Sequence, residues 1–312
     1  MSDPIWQLPP DLVVHPVEEY WTNAPSVWHL PNDPWTTRIW PRFAGEGETV
    51  AILDTGYSPH NDLPTPVAQR SFISGQDVRD GNAHGTHCAG TAVGRHGIGV
   101  APKANLIVGK VLSNQGSGSS TGIAAGIEWA IDQGATIISM SLGGGGTHTP
   151  TQRACQRAAE KGILVCASAG NAGQRPPSNT IGYPGRYLET YCSGSMDQRG
   201  NISTFSSSGR EMDGVTPGSQ IVSTSNTSSS GYKTMSGTSM SCPFAAGLFA
   251  VVRSGMAKAG APRLGGIEEW RFWLQQFFMD KGTPGHDNVW GWGVPDYQKI
   301  IAFLAQDQIK WV

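Results

Sequence analysis

Short apolar runs and amphipathic runs alternate along most of the chain. The apolar runs predict strands at residues 49–53, 106–112, 136–141 and 163–167. A run of small residues suited to close packing predicts a helix at residues 84–93, and helix signals follow at residues 121–133 and 152–161. Apolar residues at helical spacing predict a further helix at residues 267–280. Because strands that alternate with helices are typical of a parallel sheet, we predict an α/β fold. Its architecture is a three-layer, doubly wound, mostly parallel β-sheet with helices on both faces.

Composition and charge narrow the class of protein. The 312 residues include 41 glycines, which fits a fold with many tight turns. A net charge of −2 with 15% charged residues gives no electrostatic reason to expect nucleic acid or a membrane surface as a partner. No apolar run approaches the length of about 18 residues that a membrane-spanning helix needs. We expect one large domain at residues 46–312, preceded by a Pro- and Trp-rich extension at residues 1–45.

Three short stretches carry residues that suit nucleophilic catalysis. Ser239 follows Gly237-Thr238 and opens a long apolar run, which puts its hydroxyl at the positive end of a predicted helix. Pro243 is expected in the first turn of that helix, where its missing N–H has no partner to lose. Asp54 ends a predicted strand, and His84 opens a predicted helix. A nucleophile, a base and an orienting acid therefore follow one another in the order Asp, His, Ser.

Four motifs in this order resemble the signatures of the subtilisin-like serine protease family. They are Asp54-Thr55-Gly56, His84-Gly85-Thr86-His87, Ala169-Gly170-Asn171 and Gly237-Thr238-Ser239-Met240. The likeness extends from about residue 45 to about residue 300 and has features of both the proteinase K branch and the intracellular subtilisins. It implies a serine endopeptidase in which Ser239 is the nucleophile, His84 the base and Asp54 the orienting acid. It further implies that Asn171 donates its amide to the oxyanion.

The same resemblance implies where an extended peptide would bind. One segment that would pair with the substrate backbone is Gly116, Ser117 and Gly118, and the facing segment is Ser141, Leu142 and Gly143. The pocket for the residue before the scissile bond would also include Ser168, Ala169 and Gly170, with Gly182 at its floor. These residues are small and uncharged, so we expect cleavage after large apolar residues. Tyr183-Pro184 matches a cis peptide of the family.

Two other readings of the site stay open at this stage. A catalytically silent module that only binds peptides would keep the cleft, although all three triad residues and Asn171 are present. A serine-carboxyl peptidase would have Glu where this chain has His84. His87, one turn after His84, is a rival base, and the family resemblance implies a structural role for it.

The five cysteines do not indicate a metal or disulfide framework. They form no Cys-x-x-Cys pair, so zinc is not expected, and their odd number leaves at least one thiol unpaired. Cys88 lies four residues after His84, and Cys242 lies three after Ser239. We expect both as small buried packing residues near the site, with Ser239 rather than either thiol as the nucleophile.

No cofactor is expected for the chemistry, but the resemblance implies structural calcium. Asp62 matches a calcium ligand of subtilisins, whereas the ligand loop expected after His84 is shortened to residues 94–97. A second site would use Gly185, Tyr187 and Asp213, oxygen ligands of the kind that calcium prefers. We expect protein or peptide substrates as partners, and a monomer or homodimer.

The N-terminal extension allows two interpretations. Eight prolines between Pro4 and Pro41, interleaved with tryptophans, predict an extended segment docked by its indole rings. It is either a structural strap or an inhibitory strand, residues 6–10, laid over the cleft. The chain shows no secretory signal, which favours the cytoplasm; the alternative is a secreted mature enzyme.

Overall fold

The computed structural model describes residues 5–7 and 13–15 as strands, and residues 40–174 and 178–305 in full. The strands are β1 (Ile5–Gln7), β2 (Val13–His15), β3 (Thr49–Asp54), β4 (Ala68–Ser71), β5 (Asn105–Lys110), β6 (Ser117–Ser119), β7 (Ile137–Met140), β8 (Leu164–Ser168), β9 (Thr190–Met196), β10 (Gly214–Pro217), β11 (Ile221–Thr224), β12 (Tyr232–Ser236), β13 (Phe278–Met279) and β14 (Val294–Pro295). The helices are α1 (His84–Val93), α2 (Ser120–Asp132), α3 (Thr149–Glu160), α4 (Thr238–Lys258), α5 (Ile267–Phe277) and α6 (Tyr297–Leu304).

A seven-stranded sheet forms the middle layer. Its strand order is β10-β9-β8-β7-β3-β5-β4, and every neighbouring pair is parallel. The chain builds the sheet outward from β3 in both directions, so the order reverses between β3 and β7. The predicted doubly wound architecture is confirmed.

The pleat of β3 shows why helices cover both faces. Val50 and Ile52 point into one core, in which α1, α4, α5 and α6 pack. Ala51 and Leu53 point into the opposite core, which contains the apolar faces of α2 and α3. Because successive side chains of a strand alternate between faces, a strand buried on both sides reads as a continuous apolar run.

Helix α4 is the central helix of the larger core. It has the length and hydropathy of a membrane-spanning helix, but 94% of its most apolar window is buried inside the protein. Its apolar residues pack against the sheet and against α1, where Gly247 permits a close approach.

Two predicted helices differ from the structure at one end. Helix α3 begins three residues before its predicted start, because the ring of His148 accepts a hydrogen bond from the Thr151 N–H and so caps it. Histidine is not among the usual capping residues, so the sequence hid this start. Helix α5 ends at Phe277, where the chain turns into β13.

Smaller sheets connect the extension to the domain. Strand β1 pairs antiparallel with β6, and β2 pairs antiparallel with β12 at the edge of the β11-β12 hairpin. The Trp40 indole donates a hydrogen bond to the Val100 carbonyl over 2.9 Å, as expected for a docked tryptophan. The other tryptophans of the extension lie outside the residues whose side chains are described. The Tyr183–Pro184 peptide is cis, as predicted.

Candidate active site

The carboxylate of Asp54 lies at the carboxyl edge of the central sheet. It is the last residue of β3, beside the point where the strand order reverses, which is where open α/β sheets place their ligands. Its Oδ1 accepts a hydrogen bond from the His84 ring at 2.7 Å and one from the Thr55 N–H at 2.7 Å. His84 is the first residue of α1, and both side chains are buried. Because a carboxylate can only accept, His84 carries a proton on Nδ1 and turns Nε2 away from Asp54.

Ser239 is the second residue of α4, at a break in the helical hydrogen-bond ladder. The helix begins at Thr238, so Pro243 lies in its second turn rather than in the predicted first turn. Its missing N–H would have bonded to the Ser239 carbonyl. That carbonyl instead accepts hydrogen bonds from Ser141 Oγ at 2.7 Å and from Cys88 Sγ at 3.4 Å. These contacts fix the backbone of Ser239 against the end of β7 and the middle of α1.

The amide of Asn171 is oriented by the residue next to Ser239. Its Oδ1 accepts hydrogen bonds from the Thr238 N–H at 3.0 Å and from Thr238 Oγ1 at 2.9 Å. Because a backbone N–H can only donate, the contacted atom is the oxygen, and Nδ2 points the other way. Asn171 therefore presents a fixed N–H donor close to the start of α4.

Several buried polar atoms at this edge of the sheet have no partner among the described residues; Asp54 Oδ2 is one of them. Ser239 Oγ, His84 Nε2 and Asn171 Nδ2 are buried without a hydrogen bond to any described residue. Unsatisfied buried polar atoms are costly and rare in proteins, and clusters of them call for a functional explanation. Each of these side chains or its backbone is held by other contacts, which leaves the three atoms available to an incoming group.

Cys88 lies beneath the site rather than in it. Its Sγ is 3.8 Å from His84 Nδ1, and burial raises the pKa of its thiol well above the ordinary range. A thiol that stays protonated is a poor nucleophile, which agrees with the expected packing role. All five cysteines are free and buried, and Cys242 lies against Ser139 and the Met140 carbonyl.

The ring of His87 contacts the backbone of the β11-β12 hairpin. Its Nε2 lies 3.0 Å from the carbonyl oxygens of both Ile221 and Lys233. It therefore ties α1 to the β11-β12 hairpin, as a structural residue would.

The segments predicted to form the specificity pocket come together at the ends of β7 and β8. The Gly182 N–H donates to the Ala169 carbonyl over 3.0 Å, and Ser168 Oγ lies 3.5 Å from the Leu142 carbonyl. Gly144 and Tyr183 form an antiparallel bridge across the other side. The structure thus brings together all seven residues assigned to the pocket and its facing segment: Ser141, Leu142, Gly143, Ser168, Ala169, Gly170 and Gly182.

The predicted substrate-pairing segment, Gly116 to Gly118, leads into and overlaps β6. Strand β1 already pairs with it, with Trp6 opposite Gly118 and Gln7 opposite Ser117. Of the predicted inhibitory strand, residues 6 and 7 belong to β1, whereas residues 8–10 lie outside the described residues.

The carboxylate of Asp62 is fully engaged by neighbouring side chains. Its Oδ1 accepts from the His96 ring at 2.7 Å, and its Oδ2 accepts from the Tyr232 hydroxyl. His96 belongs to the shortened loop that follows α1. These contacts do not fit a calcium ion at Asp62, because a protein donor already lies against each carboxylate oxygen.

Asp213 is likewise paired within the protein. Arg271 Nε donates to its Oδ1 over 2.7 Å, and the Cys192 N–H donates to its Oδ2 over 2.8 Å. Burial raises the pKa of Asp213, and the charge of Arg271 opposes that rise. The same guanidinium donates to the Leu188 and Thr190 carbonyls near Gly185 and Tyr187. A cation already occupies the position, so calcium fits poorly here too.

The sequence did not indicate how three residues shape the site. Thr238 orients Asn171, Ser141 holds the Ser239 carbonyl, and Asp80 binds both the Asp54 turn and the start of α1. Thr238 and Ser141 stand inside recognised motifs, but hydroxyl groups give no signal of their bonding partners. Asp80, four residues before His84, could have been suspected as a capping acid.

The fold and this arrangement define a class of hydrolase that uses a serine nucleophile on an α/β sheet. Comparison with known proteins agrees: the profile of the subtilase family matches residues 45–293. Subtilisin DY of Bacillus licheniformis is 41% identical over 220 residues, 68% of this chain and 78% of the relative. Thermitase of Thermoactinomyces vulgaris is 40% identical over 246 residues, 72% of this chain and 86% of the relative. Subtilisin Savinase of Lederbergia lenta is 40% identical over 214 residues, 67% of this chain and 77% of the relative.

This chain therefore belongs to the subtilase family and is a subtilisin-like serine endopeptidase.

The engaged carboxylates predict that thermal stability does not depend on calcium. Removing calcium with a chelator should leave the thermal midpoint Tm unchanged, because an ion that does not bind the folded state adds nothing to its stability. Scanning calorimetry with chelator, with calcium and with magnesium measures this. The His96→Ala variant removes the partly exposed pair with Asp62, so its Tm should fall slightly, by the equivalent of about 1 kcal/mol or less. A fall of Tm on chelation that calcium but not magnesium reverses would contradict the prediction.

Proposed function

We propose that this chain hydrolyses peptide bonds through an acyl-enzyme on Ser239, with His84 as general base and Asp54 as the orienting acid. The observation that carries the proposal is the set of unpartnered buried atoms, Ser239 Oγ, His84 Nε2 and Asn171 Nδ2. A nucleophile, a base and an oxyanion donor are the groups that acyl transfer requires. Asp54, at 2.7 Å from His84 Nδ1, supports the tautomer in which Nε2 accepts a proton.

The proposed reaction has two halves. Ser239 Oγ attacks the carbonyl carbon while its proton passes to His84 Nε2, and the oxyanion accepts hydrogen bonds from Asn171 Nδ2 and the Ser239 N–H. His84 then gives the proton to the departing amine as the C–N bond breaks. In the second half, water repeats these steps and releases the acid. Asp54 stays ionised throughout and stabilises the imidazolium.

The triad assignment is tested with Ser239→Ala, His84→Ala and the double variant. Each single change should lower kcat by on the order of 10⁶, the value known for the relative subtilisin, and the double variant should be hardly worse. The reason is that the two residues act as one unit. The measurement is the rate of peptide hydrolysis by variants whose Tm equals that of the wild type. Mass spectrometry detects a fluorophosphonate adduct on Ser239 in addition. Losses that multiply would refute the triad, and an unlabelled wild type would favour the silent peptide-binding module.

We further propose that the pocket prefers a large apolar residue before the scissile bond. The residues 141–143, 168–170 and Gly182 carry no charge, and the residue that follows Asn171 is Ala172 rather than an acid. Burying a Lys or Arg side chain among them would leave its charge unpaired, which is costly. A Phe, Tyr or Leu side chain would gain about 25 cal/mol per Å² of buried apolar surface.

Changing Gly182 tests this specificity. A Cβ at Gly182 would lie 3.5 Å from the Gly144 carbonyl oxygen, an ordinary contact, so a side chain fits there. Gly182→Asp should raise kcat/KM for substrates with Lys or Arg before the scissile bond relative to Phe, by about 10-fold or more, since it supplies the missing counter-charge. Gly182→Ala is the control, because it adds the Cβ without the charge. A wild-type preference for basic residues in a peptide library would overturn the pocket assignment.

We also propose that β1 inhibits the enzyme by occupying the substrate's place on β6. Its antiparallel register opposite Ser117 and Gly118 uses the backbone groups that a bound peptide would need. The support is the pairing itself, which a strap docked elsewhere would not make.

Truncation separates inhibition from a structural role. Removal of residues 1–12 should raise kcat/KM on a short peptide, because β6 then has no internal competitor. The matched variant keeps the length and replaces residues 5–7 by Gly-Ser-Gly, and it should show the same gain. Unchanged kcat/KM in both proteins, at unchanged Tm, would make the extension purely structural.

A further inference from the structure

Asp80 is a buried carboxylate that belongs neither to the triad nor to the pocket. Its Oδ1 accepts hydrogen bonds from Thr55 Oγ1, the Asn82 N–H and the Ala83 N–H at 2.8 to 3.0 Å. Its Oδ2 accepts from the Thr86 N–H at 2.8 Å and from Thr86 Oγ1 at 2.6 Å. Five donors thus converge on one side chain that is 4% exposed.

These donors lie on both sides of the Asp54–His84 hydrogen bond. Thr55 follows Asp54 at the end of β3, and Thr86 stands in the first turn of α1, two residues after His84. Thr55 Oγ1 also accepts from the Gly85 N–H at 2.9 Å, while the Thr55 N–H holds the Asp54 carboxylate. Asp80 and Thr55 therefore connect the strand that carries the acid to the helix that carries the base.

Asp80 also fixes the turn that immediately precedes His84. Ala83, the residue before α1, has a left-handed φ of 86°, which is unusual for a residue other than glycine. Its N–H is one of the Asp80 donors, so the carboxylate holds this conformation in place. Released from Asp80, the turn would relax toward ordinary φ values and move the start of α1.

The local charges are consistent with an ionised Asp80. Burial would raise its pKa, but the hydrogen bonds from Thr86, Asn82 and Thr55 outweigh burial and leave the pKa below the ordinary value. Lys110 is fully buried and donates a hydrogen bond to the Thr55 carbonyl. It donates a second one to Asn114 Oδ1 over 2.7 Å. Its positive charge lies near Asp54 and Asp80 and attracts both carboxylates.

We propose that Asp80, acting through Thr55, is a positioning residue for the Asp54–His84 pair. It keeps the end of β3 and the first turn of α1 at a fixed separation, so its loss slows acyl transfer and leaves substrate binding intact. This inference rests on the proposed triad chemistry. Misplacement of a catalytic group by about 1 Å costs on the order of 10²-fold in rate, which sets the expected size of the effect.

The first experiment compares two substitutions of Thr55. Thr55→Val keeps the shape but removes the hydroxyl that joins Asp80 to Gly85, whereas Thr55→Ser keeps that hydroxyl. In Thr55→Val, kcat and the rate constant of fluorophosphonate labelling at Ser239 should both fall by about 10- to 10²-fold, with KM unchanged. Thr55→Ser should restore most of both rates.

The second experiment replaces Asp80 itself. Asp80→Asn keeps the shape but turns an amide group toward the Thr86 donors, and it should lose as much kcat as Thr55→Val. The double variant should be hardly worse than either, because the two residues act as one unit. Asp77→Asn is the matched control: it removes the same charge from an exposed side chain of the same loop, and it should behave as wild type.

The outcomes separate the inference from the function on which it rests. Folded Thr55→Val that labels at the wild-type rate, or that raises KM at constant kcat, overturns the positioning role. Rate losses that multiply in the double variant do the same. A wild type that is not labelled at Ser239 refutes the triad instead. If Asp80→Asn does not fold, the comparison of Thr55→Val with Thr55→Ser tests the positioning role alone, since both of these variants retain the Asp80 carboxylate.

Discussion

The buried carboxylate of Asp54 is the constraint around which the rest of the site is arranged. A charge removed from water needs local hydrogen bonds, and the Thr55 N–H and His84 both provide theirs to Oδ1 at 2.7 Å, whereas Oδ2 has no partner among the described residues. This arrangement needs the acid at the end of a central strand and the base at the start of a helix. A parallel sheet delivers both, because its strands end at one edge and its helices return above it. The fold thereby buries the pair beside other hydrogen-bonded polar groups, such as Asp80, Thr86 and Lys110, at the edge of the apolar core.

Ser239 lies at the same edge of the central sheet, at a break in the hydrogen bonding of α4. Pro243 leaves the Ser239 carbonyl without its helical donor, and an unpaired buried carbonyl would be destabilising. Ser141 supplies the missing hydrogen bond from another part of the chain. The break thus couples α4 to the end of β7, so the nucleophile's backbone is fixed by tertiary contacts rather than by its own helix.

Patterns that depend on local sequence predicted most of the fold and the identity of the candidate site residues. Buried strands such as β3 and β7 follow from their apolar runs, and the helix at His84 follows from its run of small residues. The motifs single out Asp54, His84, Asn171 and Ser239 as candidates. One failure was local: Pro243 was assigned to the first turn of α4, although it lies four residues after Ser239 and so past the 3.6 residues of one turn. The other depends on distant partners: Asp62 gave no sign that His96 and Tyr232 would occupy its carboxylate. Spacing along a chain does not encode hydrogen bonds that join residues 30 or more positions apart.

The pairing of β1 with β6 follows from the physics of sheet edges. A strand that binds peptides must leave its N–H and C=O groups unpaired, and such an edge attracts any extended segment within reach. A segment of the same chain competes at an effective concentration that reaches the millimolar range for a short connection, so even a few weak backbone hydrogen bonds suffice. Strand β1 has three residues, which limits its hold on β6. An edge of this kind can therefore be covered in the resting protein and still yield to a longer peptide that also fills the proposed pocket at Gly182.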